Sequence, residues 1–145
     1  MEQHESYMRE ALAEAHNAKS EGNTGVGTVI VRDGEIVGRG RNMVSATHDP
    51  TAHAETVAIR EAGPALGRDD LSDCALYTTF QPCPMCCGAI MVSGIRTVVI
   101  GARPIGSANI YGSYRMEALV EMAGQGGQIE IVDGILESEC REVRY

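Results

Sequence analysis

Two short segments of the sequence carry side chains that could bind a metal ion and activate water. One residue separates His53 from Glu55 in the first segment, and two residues separate Cys83 from Cys86 in the second. An imidazole and two thiolates are ligands that zinc prefers, and three protein ligands leave the fourth tetrahedral position open to water. The spacing therefore predicts a zinc site of the catalytic type, with Zn²⁺ as the cofactor.

The cysteines differ in what their positions allow. Residues three apart on a helix lie on one face, so the sulfurs of Cys83 and Cys86 can reach one ion. Cys87 follows Cys83 by four residues and shares that face, so spacing alone leaves Cys86 and Cys87 both open as the second sulfur ligand. Cys74 and Cys140 lie in apolar segments and are expected in the core. An odd number of cysteines, five in all, argues against a disulfide framework.

Glu55 is not needed as a ligand, and its use depends on where its side chain points. Residues two apart on an ideal helix face nearly opposite sides, but a position in the first turn relaxes that restriction. Facing the open metal position, the carboxylate would take a proton from bound water and deliver protons to a substrate ring and its leaving amine. The pattern H-x-E followed by P-C-x-x-C is typical of zinc-dependent nucleobase deaminases. A non-catalytic zinc-binding module is the alternative, and Glu55 counts against it.

The predicted helices and strands, which must position these residues, alternate along the chain. Apolar spacing and glycine or proline boundaries predict helices over residues 2–20, 52–62, 84–93, 113–123 and 136–143. Short β-rich runs predict strands over residues 26–31, 35–40, 75–79, 97–100 and 128–132, with loops over 42–51 and 103–112.

Two connections indicate how these elements are arranged. Asp33-Gly34 predicts a tight hairpin between the first two strands, and Gly63-Pro64 is expected to interrupt or end the second helix. The strand–helix–strand unit over residues 75–100 favours parallel pairing with the helix on one face of the sheet. We therefore expect residues 1–145 to form one α/β domain with three α-β-α layers around a five-stranded mixed sheet.

Composition limits the partners of the chain. Its 145 residues include 12 Lys and Arg against 20 Asp and Glu, which gives a net charge of −8. Nucleic-acid binding draws much of its affinity from cationic contacts with phosphates, so a polynucleotide is unlikely as substrate on charge alone. The acidic N-terminus lacks the features of a secretory signal, and no apolar run approaches the ~20 residues that span a bilayer. We expect a cytoplasmic protein without membrane partners.

The sequence resembles the cytidine-deaminase-like zinc hydrolases, in the branch that holds fungal cytosine deaminase, bacterial guanine deaminase and the tRNA adenosine deaminases. The resemblance covers nearly the whole chain and is carried by residues 38–42, 49–55, 76–79, 82–86, 88–90, 134–136 and 139–140. It implies that His53, Cys83 and Cys86 bind zinc, which selects Cys86 over Cys87. It also implies that Glu55 transfers protons.

The same resemblance implies a set of substrate contacts. Asn42 would hydrogen-bond the base, the backbone N–H of Ala54 would hold the substrate's carbonyl or ring edge, and the backbone carbonyl of Gln81 would accept from the departing amine. Tyr111 and Tyr114 lie in and just after the long loop, where relatives shape the pocket, and both are predicted to touch substrate. The other aromatic side chains that could stack on a base are those of Phe80 and Tyr145.

Charge and one departure from the family pattern favour a small substrate. Gln81 stands where tRNA and guanine deaminases usually carry glutamate. We therefore expect a zinc hydrolase that releases ammonia from a free nucleobase or nucleoside of the cytosine or guanine type. Editing of adenosine in tRNA is the alternative substrate. Family members of this size imply a homodimer or a larger homo-oligomer.

Overall fold

The computed structural model describes residues 2–145, in which five strands and their flanking helices follow the predicted order with shifted boundaries. The strands are β1 (Gly27–Arg32), β2 (Glu35–Arg41), β3 (Ala75–Phe80), β4 (Thr97–Ala102) and β5 (Glu130–Val132). The helices are α1 (Glu2–Ser20), α2 (Val44–Thr47), α3 (Ala54–Leu66), α4 (Pro84–Ser93), α5 (Met116–Met122) and α6 (Glu137–Arg144), with a 3₁₀ turn at Gly106–Ala108.

One mixed sheet has the strand order β2-β1-β3-β4-β5. β1 runs antiparallel to both β2 and β3, whereas β3, β4 and β5 are parallel to one another. The parallel half requires crossovers, and α4 provides the one between β3 and β4. The predicted five-stranded mixed sheet is confirmed, and its parallel strands end on the edge where α4 begins.

Apolar side chains cover both faces of the sheet, because alternate strand residues point to opposite sides. On one face α1 and α6 pack with the sheet through Met8, Leu12, Val29, Tyr77 and Val143. On the other face α3, α4 and α5 pack with it through Ile30, Ala58, Leu76, Ile90 and Met116. The predicted three-layer α-β-α architecture is therefore confirmed. Within residues 2–145 no helix is both long enough and apolar enough to cross a bilayer.

Several predicted boundaries were wrong for local reasons. Helix α3 continues past Gly63-Pro64 to Leu66. A proline there removes only the helical N–H donor to the carbonyl of Arg60, which is an exposed residue. Helix α5 begins at Met116 rather than at residue 113, because the preceding residues form a turn closed by a hydrogen bond from Asn109 Nδ2 to the Tyr114 carbonyl. Short helical turns interrupt the two predicted loops at Val44–Thr47 and Gly106–Ala108.

Two glycines of β2 allow α3 to lie directly against the sheet. A Cβ atom on Gly40 would stand 2.1 Å from the Ala54 carbonyl oxygen, and one on Gly38 would stand 2.6 Å from the Ala58 carbonyl oxygen. Such distances are far inside van der Waals contact, so a side chain at either position would displace the helix. The close packing fixes the start of α3, where His53 and Glu55 lie.

Candidate metal centre and active site

The predicted metal ligands lie at the beginnings of two helices that meet at one edge of the sheet. His53 is the N-cap of α3 and Cys83 is the N-cap of α4, both with extended backbone, and Pro84 occupies the first turn of α4. A proline is well accommodated there because its missing N–H has no helical partner to lose. The partial positive charge of a helix N-terminus favours the thiolate form of a nearby cysteine.

The positions of the nitrogen and sulfur atoms fit a tetrahedral zinc ion. His53 Nδ1 lies 3.5 Å from Cys83 Sγ and 3.5 Å from Cys86 Sγ. Bond lengths of about 2.3 Å to sulfur and 2.0–2.1 Å to nitrogen at a tetrahedral angle require a nitrogen–sulfur separation of about 3.6 Å. Within residues 2–145 these three form the one group whose possible ligand atoms all lie within 4.8 Å of one another. The cofactor indicated by this donor set is zinc.

The neighbouring cysteine does not share this position. The Cys87 side chain is fully buried among Ile90, Leu76 and other apolar residues of the core, whereas Cys86 Sγ faces His53. The choice between Cys86 and Cys87, which spacing left open, therefore falls on Cys86. Cys74 and Cys140 are buried in the core, as predicted.

Hydrogen bonding between the ligands already favours one thiolate. The interaction with the Cys86 thiol lowers the pKa of Cys83 to about 4, and the same interaction, together with burial, raises the pKa of Cys86. The backbone N–H of Cys86 donates to Cys83 Sγ at 3.5 Å, and the hydrogen bond with Cys83 raises the pKa of His53. A cation placed among these atoms would meet a sulfur that is already negative.

Glu55 faces the same cavity as His53 and Cys83 but is not part of the ligand group. His53 lies at the extended cap, outside the helix, so the rotation that would point residues two apart in opposite directions does not apply. The Glu55 side chain is 3% exposed, and burial raises its pKa to about 6. A buried carboxyl that does not bind metal is suited to proton transfer.

Two threonines that the sequence analysis did not single out hold this carboxylate. Thr78 Oγ1 donates to Glu55 Oε2 at 3.0 Å, and Thr28 Oγ1 donates to Thr78 Oγ1 at 3.0 Å. Both threonines are fully buried in neighbouring strands of the sheet. The available signal was the pair Thr78-Thr79 inside the buried strand β3, but the sequence did not show which of the two contacts α3.

The cavity beside the metal centre has a volume of about 210 Å³. All five predicted substrate-binding residues line it, namely Asn42, Ala54, Gln81, Tyr111 and Tyr114. Sequence reasoning assigned no role there to Thr24, Val26, Pro104, Ala108, Asn109, Ile110 or Arg144, which line it as well. Phe80, which was only a possible stacking partner, contributes to both the core and the cavity.

Two of the amide side chains in this cavity are oriented by donors from the protein. Asn42 Oδ1 accepts from the Val44 backbone N–H at 3.1 Å, so the amide nitrogen points away from that N–H. Gln81 Oε1 accepts from Arg103 Nη1 at 2.7 Å and from the Met116 backbone N–H at 3.2 Å. Both amides therefore have a fixed sense, with the oxygen occupied by the protein and the nitrogen left as a donor.

The two tyrosines differ in burial and in their contacts. Tyr114 is partly buried, and its hydroxyl donates to the Pro82 carbonyl at 2.6 Å beside the metal ligands. Tyr111 is 47% exposed and packs edge-on against Tyr114, with ring centroids 6.3 Å apart. Tyr114 thus forms a fixed wall of the cavity, and Tyr111 lies at its outer rim.

Comparison with known proteins finds one family and several relatives that are described as deaminases. The family described as the cytidine and deoxycytidylate deaminase zinc-binding region matches residues 1–102. A tRNA-specific adenosine deaminase of Bacillus subtilis is 40% identical over 141 residues, which span 97% of this chain and 85% of that protein. A guanine deaminase of the same organism is 49% identical over 88 residues, 60% of this chain and 56% of the relative.

A solved structure shows the same likeness in three dimensions. It comes from biochemical and structural studies of A-to-I editing by tRNA:A34 deaminases at the wobble position of transfer RNA. The two folds superpose with a TM-score of 0.79 at 35% sequence identity, covering 95% of this chain and 98% of that one. The likeness extends to the sheet and helices that carry the metal centre.

Proposed function

Because this chain belongs to the cytidine and deoxycytidylate deaminase family and is a zinc-dependent hydrolytic deaminase, we propose that it deaminates adenosine in tRNA. The observation that carries this substrate is the likeness to tRNA-specific adenosine deaminases over nearly the full length of both chains. The net charge favours a free nucleobase or nucleoside as the substrate, with tRNA as the alternative. These likenesses favour tRNA instead.

Free guanine is the second candidate, and the charge of the chain favours it. The net charge of −8 disfavours long-range attraction of a polyanion. The likeness to guanine deaminase supports the same chemistry on a purine, although it covers a shorter part of the chain. Both candidates lose an exocyclic amino group as ammonia, so the reaction class does not depend on the choice.

We assign the metal ligands to His53, Cys83 and Cys86. A zinc ion held by these three residues would supply a water activated as a nucleophile near neutral pH. Glu55 would accept one proton of a water at the open side of the site and give it to the ring nitrogen next to the amino-bearing carbon. A new carbon–oxygen bond forms, the second water proton passes through Glu55 to the amino group, and the carbon–nitrogen bond breaks. The sum is adenosine plus water to inosine plus ammonia, with Glu55 ionised at the start and at the end.

The remaining assignments concern how the base is held. The Asn42 amide nitrogen is free to donate to a ring acceptor, since its oxygen already accepts from the Val44 N–H. The Ala54 N–H at the start of α3 and the Gln81 backbone carbonyl are assigned to the base and to the departing amine. Thr78 holds the Glu55 carboxylate from the side of the sheet. These groups would orient the reacting carbon, which lowers the entropic part of the barrier.

A homodimer or a larger homo-oligomer in the cytoplasm remains the predicted state. Helix α4 contains no charged residue, yet Val92 is 87% exposed and Met85 is 38% exposed. Apolar helices are normally covered, so this face is suited to an interface. Light scattering on the zinc-loaded protein would give twice the 15.5 kDa chain mass for a dimer, and a monomer would refute the prediction.

The substrate is tested by measuring ammonia release and inosine formation on one zinc-loaded preparation. The substrates are an adenosine-containing tRNA anticodon stem-loop, adenosine, guanine and cytosine. The proposal predicts turnover of the RNA with a kcat/KM well above that for any free base. Turnover of guanine alone would establish the second candidate, and release of ammonia from none of them would refute the deaminase assignment.

A further inference from the structure

Among the described residues, 2–145, one lysine or arginine lines the cavity. Arg144, at the end of α6, lines it together with His53, Glu55 and Cys83, and the other lining residues are uncharged. The chain as a whole is acidic. A guanidinium that lines the cavity of an otherwise acidic protein is therefore a candidate binding group for an anionic part of the substrate.

Two aromatic rings hold this guanidinium. Arg144 Cζ lies 4.9 Å from the centroid of the Phe80 ring and 4.9 Å from that of the Tyr145 ring. Those two rings meet edge to face, with centroids 6.0 Å apart and planes at 85°. A cation over aromatic faces is stabilised while its N–H groups, which lie in the guanidinium plane, stay available as donors. The side chain is thus positioned without its hydrogen-bonding capacity being used.

Most other arginines are neutralised by a carboxylate of the protein. Six arginines within residues 2–145 each form an ion pair with at least one carboxylate: Arg32 with Asp73, Arg39 with Glu10, Arg41 with Glu21, Arg68 with Asp73, Arg103 with Glu117 and Arg141 with Glu137. None of the ion pairs in this part of the chain includes Arg144, although Arg141 on the same helix has its partner at 3.0 Å. Arg144 is half-buried, so its charge is less screened than that of a fully exposed arginine.

We propose that Arg144 binds a phosphate group carried on the ribose of the nucleotide whose base is deaminated. This rests on the proposed function, since the base must react beside Glu55 while the phosphate reaches the rim. The planar fork of a guanidinium matches two phosphate oxygens, and such charge-assisted hydrogen bonds are among the stronger ones. A phosphomonoester of a nucleotide and a phosphodiester of RNA share this chemistry, and a free base lacks it.

The test compares phosphorylated with unphosphorylated substrates in matched variants. Arg144→Gln removes the guanidinium. Arg96→Gln removes one positive charge just before β4 begins, whereas the metal centre lies at the other end of the parallel strands. The ratio of kcat/KM for adenosine 5′-monophosphate to that for adenosine, and for an anticodon stem-loop RNA to adenosine, is measured in zinc-loaded protein. One phosphate contact predicts a preference of roughly ten- to hundredfold in the unaltered protein, lost in Arg144→Gln and retained in Arg96→Gln.

The substrate arms identify the source of the phosphate. Loss of preference for the monophosphate supports a phosphomonoester, and loss for the RNA alone supports a phosphodiester. For the RNA, the plot of log affinity against log salt concentration has a negative slope. Its magnitude should decrease by about 0.7–1 in Arg144→Gln and stay unchanged in Arg96→Gln. Ratios and slope that are the same in Arg144→Gln, Arg96→Gln and the unaltered protein would overturn the proposal.

A binding measurement separates this proposal from the proposed function. Calorimetric titration of the zinc-loaded Glu55→Gln protein with the same three ligands needs no turnover. A phosphate preference that disappears when Arg144→Gln is added supports the role of Arg144 even where no substrate is deaminated. Arg144→Lys keeps the charge but not the fork, and it should recover part of the preference. Equal affinity for phosphorylated and unphosphorylated ligands in Glu55→Gln would refute the assignment.

Discussion

Replacement of Thr78 by valine tests whether the sheet positions the proton-transfer group. Thr78 Oγ1 donates to Glu55 Oε2 and accepts from Thr28 Oγ1, both at 3.0 Å. Valine has nearly the same shape but no hydroxyl, so it removes both hydrogen bonds and leaves the packing intact. The change therefore isolates hydrogen bonding from volume.

The expected size of the effect follows from these contacts. A hydrogen bond to a charged group contributes about 1.5–3 kcal/mol, and a buried hydroxyl left without its partner costs about 1–3 kcal/mol. For Thr78→Val we expect the free energy of unfolding to fall by about 1–3 kcal/mol, because Thr28 loses its acceptor. We expect kcat to fall roughly tenfold to hundredfold, since 1.36 kcal/mol in the barrier corresponds to a factor of ten.

Thr79 offers a matched control in the same strand. It is as fully buried as Thr78, and its Oγ1 accepts from the Gly27 backbone N–H at 3.1 Å, away from Glu55. Thr79→Val should destabilise to a similar extent while kcat stays within about twofold, and Thr78→Ser should recover activity. Stability is measured by urea denaturation and kcat by ammonia release, both on zinc-loaded protein. Equal kcat in Thr78→Val and Thr79→Val would refute the reasoning.

Three further predictions concern the metal, the packing of α3 and pH. Cys86→Ala should lose zinc on dialysis while Cys87→Ala retains it, as measured by atomic emission; the reverse would exclude Cys86 as a ligand. Gly40→Ala should lower the thermal midpoint by the equivalent of about 1–3 kcal/mol or more, because its Cβ would meet a backbone oxygen of α3; an unchanged midpoint would show that α3 is not held there. The hydrogen bond from Arg103 holds the pKa of Glu117 below its usual range, so its stabilisation is present above the unfolded pKa and is lost as pH falls through the lowered folded pKa. The Glu117 side chain is 46% exposed, so Glu117→Gln should cost at most ~1 kcal/mol at pH 7 in urea denaturation, and this cost should shrink as the solution is acidified; a cost that grows in acid would contradict the sign.

The metal centre was predictable because its determinants are local in sequence. Cys83 and Cys86 are brought together by one turn of helix, and proline and cap preferences fix where that turn begins. The choice between Cys86 and Cys87 could not be made from spacing alone, because it depends on how α4 is rotated against the core. Spacing cannot give that rotation, and the buried neighbours of Cys87 do.

The groups that support the site were not predictable in the same way. Thr28, Glu55 and Thr78 come from three different elements, and their contact depends on the register of β1 against β3 and on the close approach of α3. Arg144 reaches Phe80 only because α6 packs on the same face of the sheet. Such contacts arise from tertiary packing, and residue types alone do not specify them.

The central claim is that zinc binding and proton transfer reside on different residues of one site. The most direct measurement is zinc content together with ammonia release on the same sample of Glu55→Gln. The claim predicts zinc content equal to that of the unaltered protein, with turnover reduced by at least about a hundredfold, the lower bound for a general acid–base group. Loss of zinc in this variant, or turnover close to that of the unaltered protein, would contradict it.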